Sequence, residues 1–238
     1  MTSMGQRIRV WDLPTRLFHW SLVVLIVAAI VTGKSGGNAI VWHGRIGLAI
    51  VGLVVFRVAW GLVGTTYARF SSFLPTPSAI LAYLQGRWSG HGHNPLGALS
   101  VLGFLALISV QASSGLFSND DIAFQGPLAN LIDKAMSDTL TMFHRITING
   151  LIALIALHLG AIAFYVHIKK KDLINPMIRG WKAIEDGNDI KPSQASRVRV
   201  KALALSVTVA LASVYAASGA WISAPSPQPP ASSAPPAW

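Results

Sequence analysis

Two histidines, His144 and His158, lie fourteen residues apart at one apolar segment of the chain. Residues 146–166 contain no acidic or basic side chain apart from His158, and they are numerous enough to cross a bilayer as a helix. Fourteen residues close almost four helical turns, so both imidazoles face one side, with Cα atoms roughly 21 Å apart. Because imidazole is a good iron ligand, this spacing suits two haems stacked at opposite depths of a membrane.

Two more histidines, His19 and His43, stand at the starts of earlier apolar segments. If successive spans alternate in direction, His43 lies at the depth of His144 and His19 at the depth of His158. Each pair then joins two helices, as a bis-imidazole haem requires. The alternative is that these histidines line a bundle interior and serve as hydrogen-bonding groups.

The composition predicts a membrane protein that crosses the bilayer several times. Of 238 residues, 52% are hydrophobic and 12% are charged, against about 25% charged in an ordinary soluble domain. The absence of cysteine excludes iron–sulfur clusters and covalent c-type haem attachment through this chain. The apolar segments predict five spans, at about 17–33, 44–63, 97–117, 142–166 and 202–222.

The net charge of +10 is distributed as a topology signal. Basic residues cluster before the first span and between the fourth and fifth spans, while the loop between the third and fourth carries four aspartates. The positive-inside rule therefore predicts that the N-terminus is cytoplasmic and that the C-terminus, after five spans, lies outside. We expect membrane lipid, and not nucleic acid, to be the partner of these charges.

The connecting segments carry weaker signals. The pattern at residues 80–84 predicts a short interfacial helix, and residues 127–136 could form another in the outer loop. His91 and His93 lie in a glycine-rich polar stretch and are expected at the surface, as His167 is at the membrane interface.

Basic and small residues near the histidines are candidates for contacts with haem. Arg16, Arg57 and Arg145 could pair with haem propionates, although Arg57 could also extend to the cytoplasmic interface. Several glycines could admit a flat macrocycle or simply allow close helix contact; these are Gly33, Gly47, Gly52, Gly150 and Gly160.

The sequence resembles the bacterial cytochrome b561 and nickel–iron-hydrogenase b-type cytochrome family over about residues 8–182. The likeness rests on the histidine spacing and on short motifs at residues 10–20, 32–33, 43–47, 57–61, 68–70 and 93–97. The resemblance implies a four-helix, dihaem cytochrome of the bacterial inner membrane, which would make the predicted outer side, with the C-terminus, periplasmic. It also implies that the haem ligands are His19, His43, His144 and His158.

The leading hypothesis is an electron carrier with two b-type haems, linking an outer-face redox protein to the quinone pool. That protein would be a c-type cytochrome or a hydrogenase-like subunit. No residue is assigned a catalytic role. The alternatives are a stand-alone superoxide:quinone oxidoreductase and an accessory subunit of a larger redox complex, contacted through the fifth helix.

The expected fold is all-α, a four-helix transmembrane haem-binding bundle plus a fifth transmembrane helix. The predicted divisions are a haem domain at 1–182, a basic cytoplasmic linker at 183–201, the fifth helix at 202–222 and an external tail rich in proline, serine and alanine at 223–238.

Overall fold

The computed structural model describes residues 7–88, 92–122, 124–183 and 198–222. Two short strands, β1 and β2, pair with each other, and two single 3-10 turns lie in loops. The strands are Arg7–Arg9 and Trp181–Ala183, and the turns are Phe70–Ser72 and Ala129–Leu131. The helices are α1 (Leu13–Ser35), α2 (Ala39–Val63), α3 (Pro77–Leu84), α4 (Pro95–Leu116), α5 (Lys134–His167), α6 (Ile174–Arg179) and α7 (Val200–Ala217).

Five of these helices, α1, α2, α4, α5 and α7, are long and apolar enough to cross a membrane. This confirms the predicted bundle with a fifth helix. The 34 residues of α5 span about 51 Å at 1.5 Å each, against a hydrocarbon core of about 30 Å. Helix α5 is therefore long enough to extend beyond the membrane. It also carries His144 and His158, two of the four predicted haem ligands.

Side-chain caps mark where three of the long helices, α1, α4 and α5, begin. The carboxylate of Asp12 accepts a hydrogen bond from the Thr15 amide at 2.7 Å, and Asn94 does the same for Gly97 at the start of α4. Asp133 caps α5 by accepting from the Met136 amide at 2.9 Å. Each cap satisfies an amide that the first helical turn leaves without a backbone partner.

Helix α2 is the centre of the bundle, because it packs against α1, α4 and α7, while α5 packs against α4. The first four spans meet in an apolar core at mid-membrane, where Leu151 lies halfway between the two histidines of α5. This core contains Phe18, Leu22, Ile50, Val54, Leu105, Ile108 and Leu151. It separates two levels of histidines, called outer and inner after the predicted topology: His43 with His144, and His19 with His158.

The fifth helix packs closely on α2. A Cβ atom on Gly52 would lie 2.7 Å from the Val214 side chain, so the absence of a side chain there permits the contact. Helix α7 ends at Ala217, five residues before the predicted end of the span. The chain turns at Gly219, whose φ of +68° favours glycine, and this residue lies directly against the Pro127 carbonyl.

The two predicted loop helices have different outcomes. The helix predicted at 80–84 is present as α3, which begins earlier because Thr76 caps it. The helix predicted at 127–136 is wrong. In its place, one 3-10 turn is followed by Asp133, which starts α5 at Lys134.

The sequence did not reveal that segments near the two ends of the predicted domain at 1–182 pair with each other. Strands β1 and β2 are antiparallel, with Ile8 opposite Lys182. The amides of Val10 and Trp11 both donate to the Gly180 carbonyl, and the Arg16 guanidinium donates to the Ile178 carbonyl. This junction holds α6 against the start of α1. Most of the predicted linker and all of the tail lie outside the described residues.

Asp12 links this junction to the bundle. Its second carboxylate oxygen accepts hydrogen bonds from the Trp60 indole at 3.0 Å and the Thr65 hydroxyl at 2.5 Å. Trp60 is fully buried and Asp12 nearly so. One carboxylate thus starts α1 and also ties it to the end of α2.

We predict that Asp12→Ala lowers the free energy of unfolding by about 2–4 kcal/mol, since it removes a cap and leaves buried donors unpaired. Asp133→Ala is the matched control, because it removes an exposed cap alone and should cost about 1 kcal/mol. Thermal unfolding of the purified protein in detergent measures both. Equal losses in the two variants would contradict the prediction.

Candidate haem-binding sites

His43 and His144 meet near the outer ends of α2 and α5. Their ring centroids lie 5.9 Å apart, and the ring planes are nearly perpendicular, at 89°. The structure therefore brings together the two histidines that the sequence placed at one depth. They come from two helices that are both packed against α4.

The hydrogen bonds of these imidazoles define which nitrogen carries the proton. His43 Nδ1 lies 2.8 Å from the Ala29 carbonyl oxygen, and His144 Nδ1 lies 2.8 Å from the Gln111 carbonyl oxygen. Because a carbonyl can only accept, each Nδ1 is the donor, and in the neutral ring Nε2 carries the lone pair. That lone pair is the one with which an imidazole binds iron.

The side chain of Gln111 is consistent with this assignment at His144. Its amide nitrogen lies 3.1 Å from His144 Nε2, and an amide NH₂ can only donate. Its amide oxygen accepts from the Thr147 hydroxyl, which sets the orientation of the group. Both nitrogens of His144 are therefore engaged by one residue of α4.

A cavity of ≈ 500 Å³ surrounds this pair. Its walls come from α1, α2, α4, α5 and the outer loop, and they are predominantly apolar. Lys34 and Arg145 stand among its lining residues as the cationic groups. An apolar cavity lined by two imidazoles and two cationic side chains fits a haem, whose propionates need positive partners.

The donor set also fits. Within the described ranges, no three or more His, Cys, Asp or Glu side chains are grouped to hold a metal ion. An iron bound by His43 and His144 would thus need its remaining ligands from a cofactor such as a porphyrin. The pair suits a haem better than a metal ion held by protein alone.

The inner pair, His19 on α1 and His158 on α5, lies close enough for the two imidazoles to interact electrostatically. Phe104 packs edge-on against His158, with ring centroids 5.4 Å apart. His19 Nδ1 is buried without a hydrogen-bond partner among the described residues. A buried ring nitrogen without a hydrogen-bond partner, in electrostatic range of a second imidazole, also fits a ligand site.

The three predicted arginines occupy different places. Arg145 lines the outer cavity, whereas Arg16 donates to the Ile178 carbonyl near the start of α1. Arg57 is 3% exposed, donates to the Ala68 carbonyl at 3.1 Å and lies over the Phe70 ring. It is therefore held inside the protein and does not extend to solvent. Pairing of these arginines with propionates stays a prediction.

Sequence reasoning missed the contribution of α4. Gln111 and Gly115 both contact His144, and the Ser114 hydroxyl lies 3.3 Å from His144 Nδ1. The available signal was Gln111, the one amide side chain within the apolar residues 97–117. Gly33 was predicted as a contact for haem or another helix, and it lies against the His43 ring.

Together the five membrane helices and the histidine pairs define a class, the membrane cytochromes that hold haem between helices. The model of the prokaryotic cytochrome b561 family matches residues 10–180, and the chain belongs to this family. It is thus a multi-pass membrane b-type cytochrome of electron transport, as the sequence resemblance predicted. The chain is also similar to a probable Ni/Fe-hydrogenase B-type cytochrome subunit of Azotobacter chroococcum mcd 1. The two are 24% identical over 213 residues, or 74% of this chain and 89% of that protein.

The surface position expected for His93 is wrong. Its ring is packed between Trp11 and Phe73, with centroids 4.4 Å from each, because the junction before α1 folds over the segment that precedes α4. Burial lowers the pKa of His93 to about 3, and the nearby Arg57 charge contributes. His91, by contrast, lies outside the described residues.

The partly buried His93, whose pKa is lowered, predicts a dependence of stability on pH. In the folded protein the ring stays neutral down to about pH 3, whereas in the unfolded chain it takes up a proton below about pH 6.5. The unfolded state binds more protons between these values, so stability falls as pH falls through this window. His93→Phe keeps the aromatic packing and should weaken this dependence. Melting temperatures from pH 7 to pH 4 measure it, and identical pH profiles would count against the prediction.

Proposed function

We propose that this protein is a dihaem cytochrome that carries electrons across the bacterial inner membrane between the quinone pool and a redox protein on the outer face. The observation that carries the proposal is the pairing of four histidines at two levels of one bundle. His144 on α5 meets His43 on α2, and His158 on α5 is near enough to His19 on α1 for an electrostatic interaction between them.

At the outer level, His43 and His144 would hold one haem through their Nε2 atoms. When bound, such a haem supplies reversible one-electron exchange at its iron. The chain's own contribution is to keep both Nε2 atoms unprotonated, to surround the site with apolar walls and to place Arg145 and Lys34 among its lining residues. At His144, the Gln111 amide would have to release Nε2 before that nitrogen could bind iron. The apolar walls keep water from the site and set its dielectric environment.

At the inner level, His19 and His158 would hold the second haem. This level faces the junction of β1, β2 and α6, where Arg16 and Trp20 bond to carbonyls of α6. We place quinone exchange on this side, because it is the level opposite the outer redox partner. The pairs share α5, so one helix carries a ligand for each of the two haems.

The orientation in the membrane rests on charge. Lys169, Lys170 and Lys171 follow α5, while Asp120, Asp121 and Asp133 lie in the loop at its other end. The positive-inside rule then puts β1, β2 and α6 in the cytoplasm and the acidic loop in the periplasm. The N-terminus is cytoplasmic in this arrangement, and the C-terminus, beyond α7, is periplasmic.

The outer partner is a soluble or associated redox protein. The similar chain from Azotobacter chroococcum is described as a probable hydrogenase cytochrome subunit, which supports a hydrogenase-like subunit. A c-type cytochrome is the other candidate. Either would approach the cavity past the outer loop, where Ile122 is 91% exposed.

The test uses the holoprotein in liposomes, with a quinol added and a membrane-impermeant haem protein outside as acceptor. We predict that His43→Ala leaves the inner haem reducible by quinol but reduces electron transfer to the acceptor at least tenfold. His158→Ala should instead remove the inner haem and prevent reduction of the outer haem by quinol. Absorbance of each haem and of the acceptor follows both steps.

Two outcomes would contradict the proposal. One is a wild-type protein whose haem is not reduced by quinol. The other is undiminished transfer to the acceptor in His43→Ala, which would show that the outer pair is not on the electron path.

A further inference from the structure

Both outer histidines are seated on the preceding helix in the same way. His43 donates to the carbonyl of Ala29, four residues before Gly33 in α1, and His144 donates to that of Gln111, four residues before Gly115 in α4. In an α-helix the carbonyl of residue i ordinarily accepts from the amide of residue i+4. Each histidine thus shares a carbonyl whose helical donor is a glycine.

Each glycine is where the imidazole ring touches the helix. A Cβ atom on Gly33 would lie 2.9 Å from His43 Nδ1, and one on Gly115 would lie 2.9 Å from His144 Cε1. Such distances force the ring to move. By comparison, a Cβ on Gly103, also in α4, would lie 3.7 Å from Leu154, which is an ordinary contact.

The arrangement recurs in two helix pairs, α1 with α2 and α4 with α5. In both, the first helix supplies a carbonyl and a glycine one turn later, and the second supplies the histidine. A side chain at either glycine would disturb the Nδ1 bond and the ring position together. Because the same geometry occurs twice, we infer that the site requires a glycine at these two positions.

We propose that Gly33 and Gly115 are matched positioning residues, which hold His43 and His144 against backbone carbonyls and thereby fix the donor nitrogen and the basicity of both outer ligands. The inference rests on the proposed function, because it concerns how the outer haem would be held. An imidazole that donates Nδ1–H to a carbonyl is a stronger donor to metal through Nε2. Stronger donation favours the ferric state and lowers the reduction potential.

The inner pair differs at His19. Its Nδ1 is buried and has no hydrogen-bond partner within the described part of the chain. The arrangement in which a histidine donates to a carbonyl and lies against a glycine one turn later is therefore seen at the outer level and not at His19. A change at either glycine should act on the outer haem and spare the inner one.

The experiment is a redox titration of the purified holoprotein, with haem content measured in the same samples. Gly33→Ala and Gly115→Ala are compared with Gly103→Ala and with wild type, and the outer haem is identified by its loss in His43→Ala. In both test variants we expect the midpoint potential of the outer haem to rise and its content to fall below one per chain. The inner haem and the Gly103→Ala protein should be unchanged.

If the potential and the content of both haems are unchanged in Gly33→Ala and Gly115→Ala, this inference is overturned, while the proposed dihaem function still stands. Equal shifts of both haems, or the same shift in Gly103→Ala, would also overturn it, because the effect would then be one of general packing. A single haem per chain that responds to both glycine variants would support the positioning role of Gly33 and Gly115. It would contradict the proposed dihaem function.

Discussion

A ring nitrogen buried in an apolar bundle without a hydrogen-bond partner costs free energy, and the outer half of this structure follows from that constraint. The outer histidines meet it by donating Nδ1–H to helix carbonyls, and at His144 the Gln111 amide also donates to Nε2, at the cavity that both histidines line. Such a bond needs the ring to lie against a helix backbone, so a glycine stands one turn beyond each carbonyl. The polar requirement thus determines the packing of α1 on α2 and of α4 on α5.

Helices α5 and α2 have different roles in the bundle. Helix α5 carries a histidine at each level, and Leu151 between them belongs to the apolar core that separates the levels. Helix α2 provides His43 and is the surface on which α1, α4 and α7 assemble. The fifth helix contacts α2 through Gly52, which accounts for its close association with the bundle.

Much of the fold was predictable because long apolar segments, and the spacing of fourteen residues between His144 and His158, can be read directly from the sequence. The pairing of His43 with His144 followed from the alternation of span direction. The hydrogen bonds from these histidines to the carbonyls of Ala29 and Gln111 could not be predicted, because every residue has a backbone carbonyl and the sequence does not show which one is used. The burial of His93 and the β1–β2 pairing were missed for a similar reason, since both depend on contacts between segments far apart in the chain.

The most direct test of the whole account is the number and ligation of haems in the wild-type protein. A pyridine haemochrome assay combined with electron paramagnetic resonance of the oxidised protein gives both. We predict two b-type haems per chain, each with the low-spin ferric signal of two imidazole ligands. One haem per chain, or a high-spin signal from either centre, would contradict the assignment of four histidines to two sites.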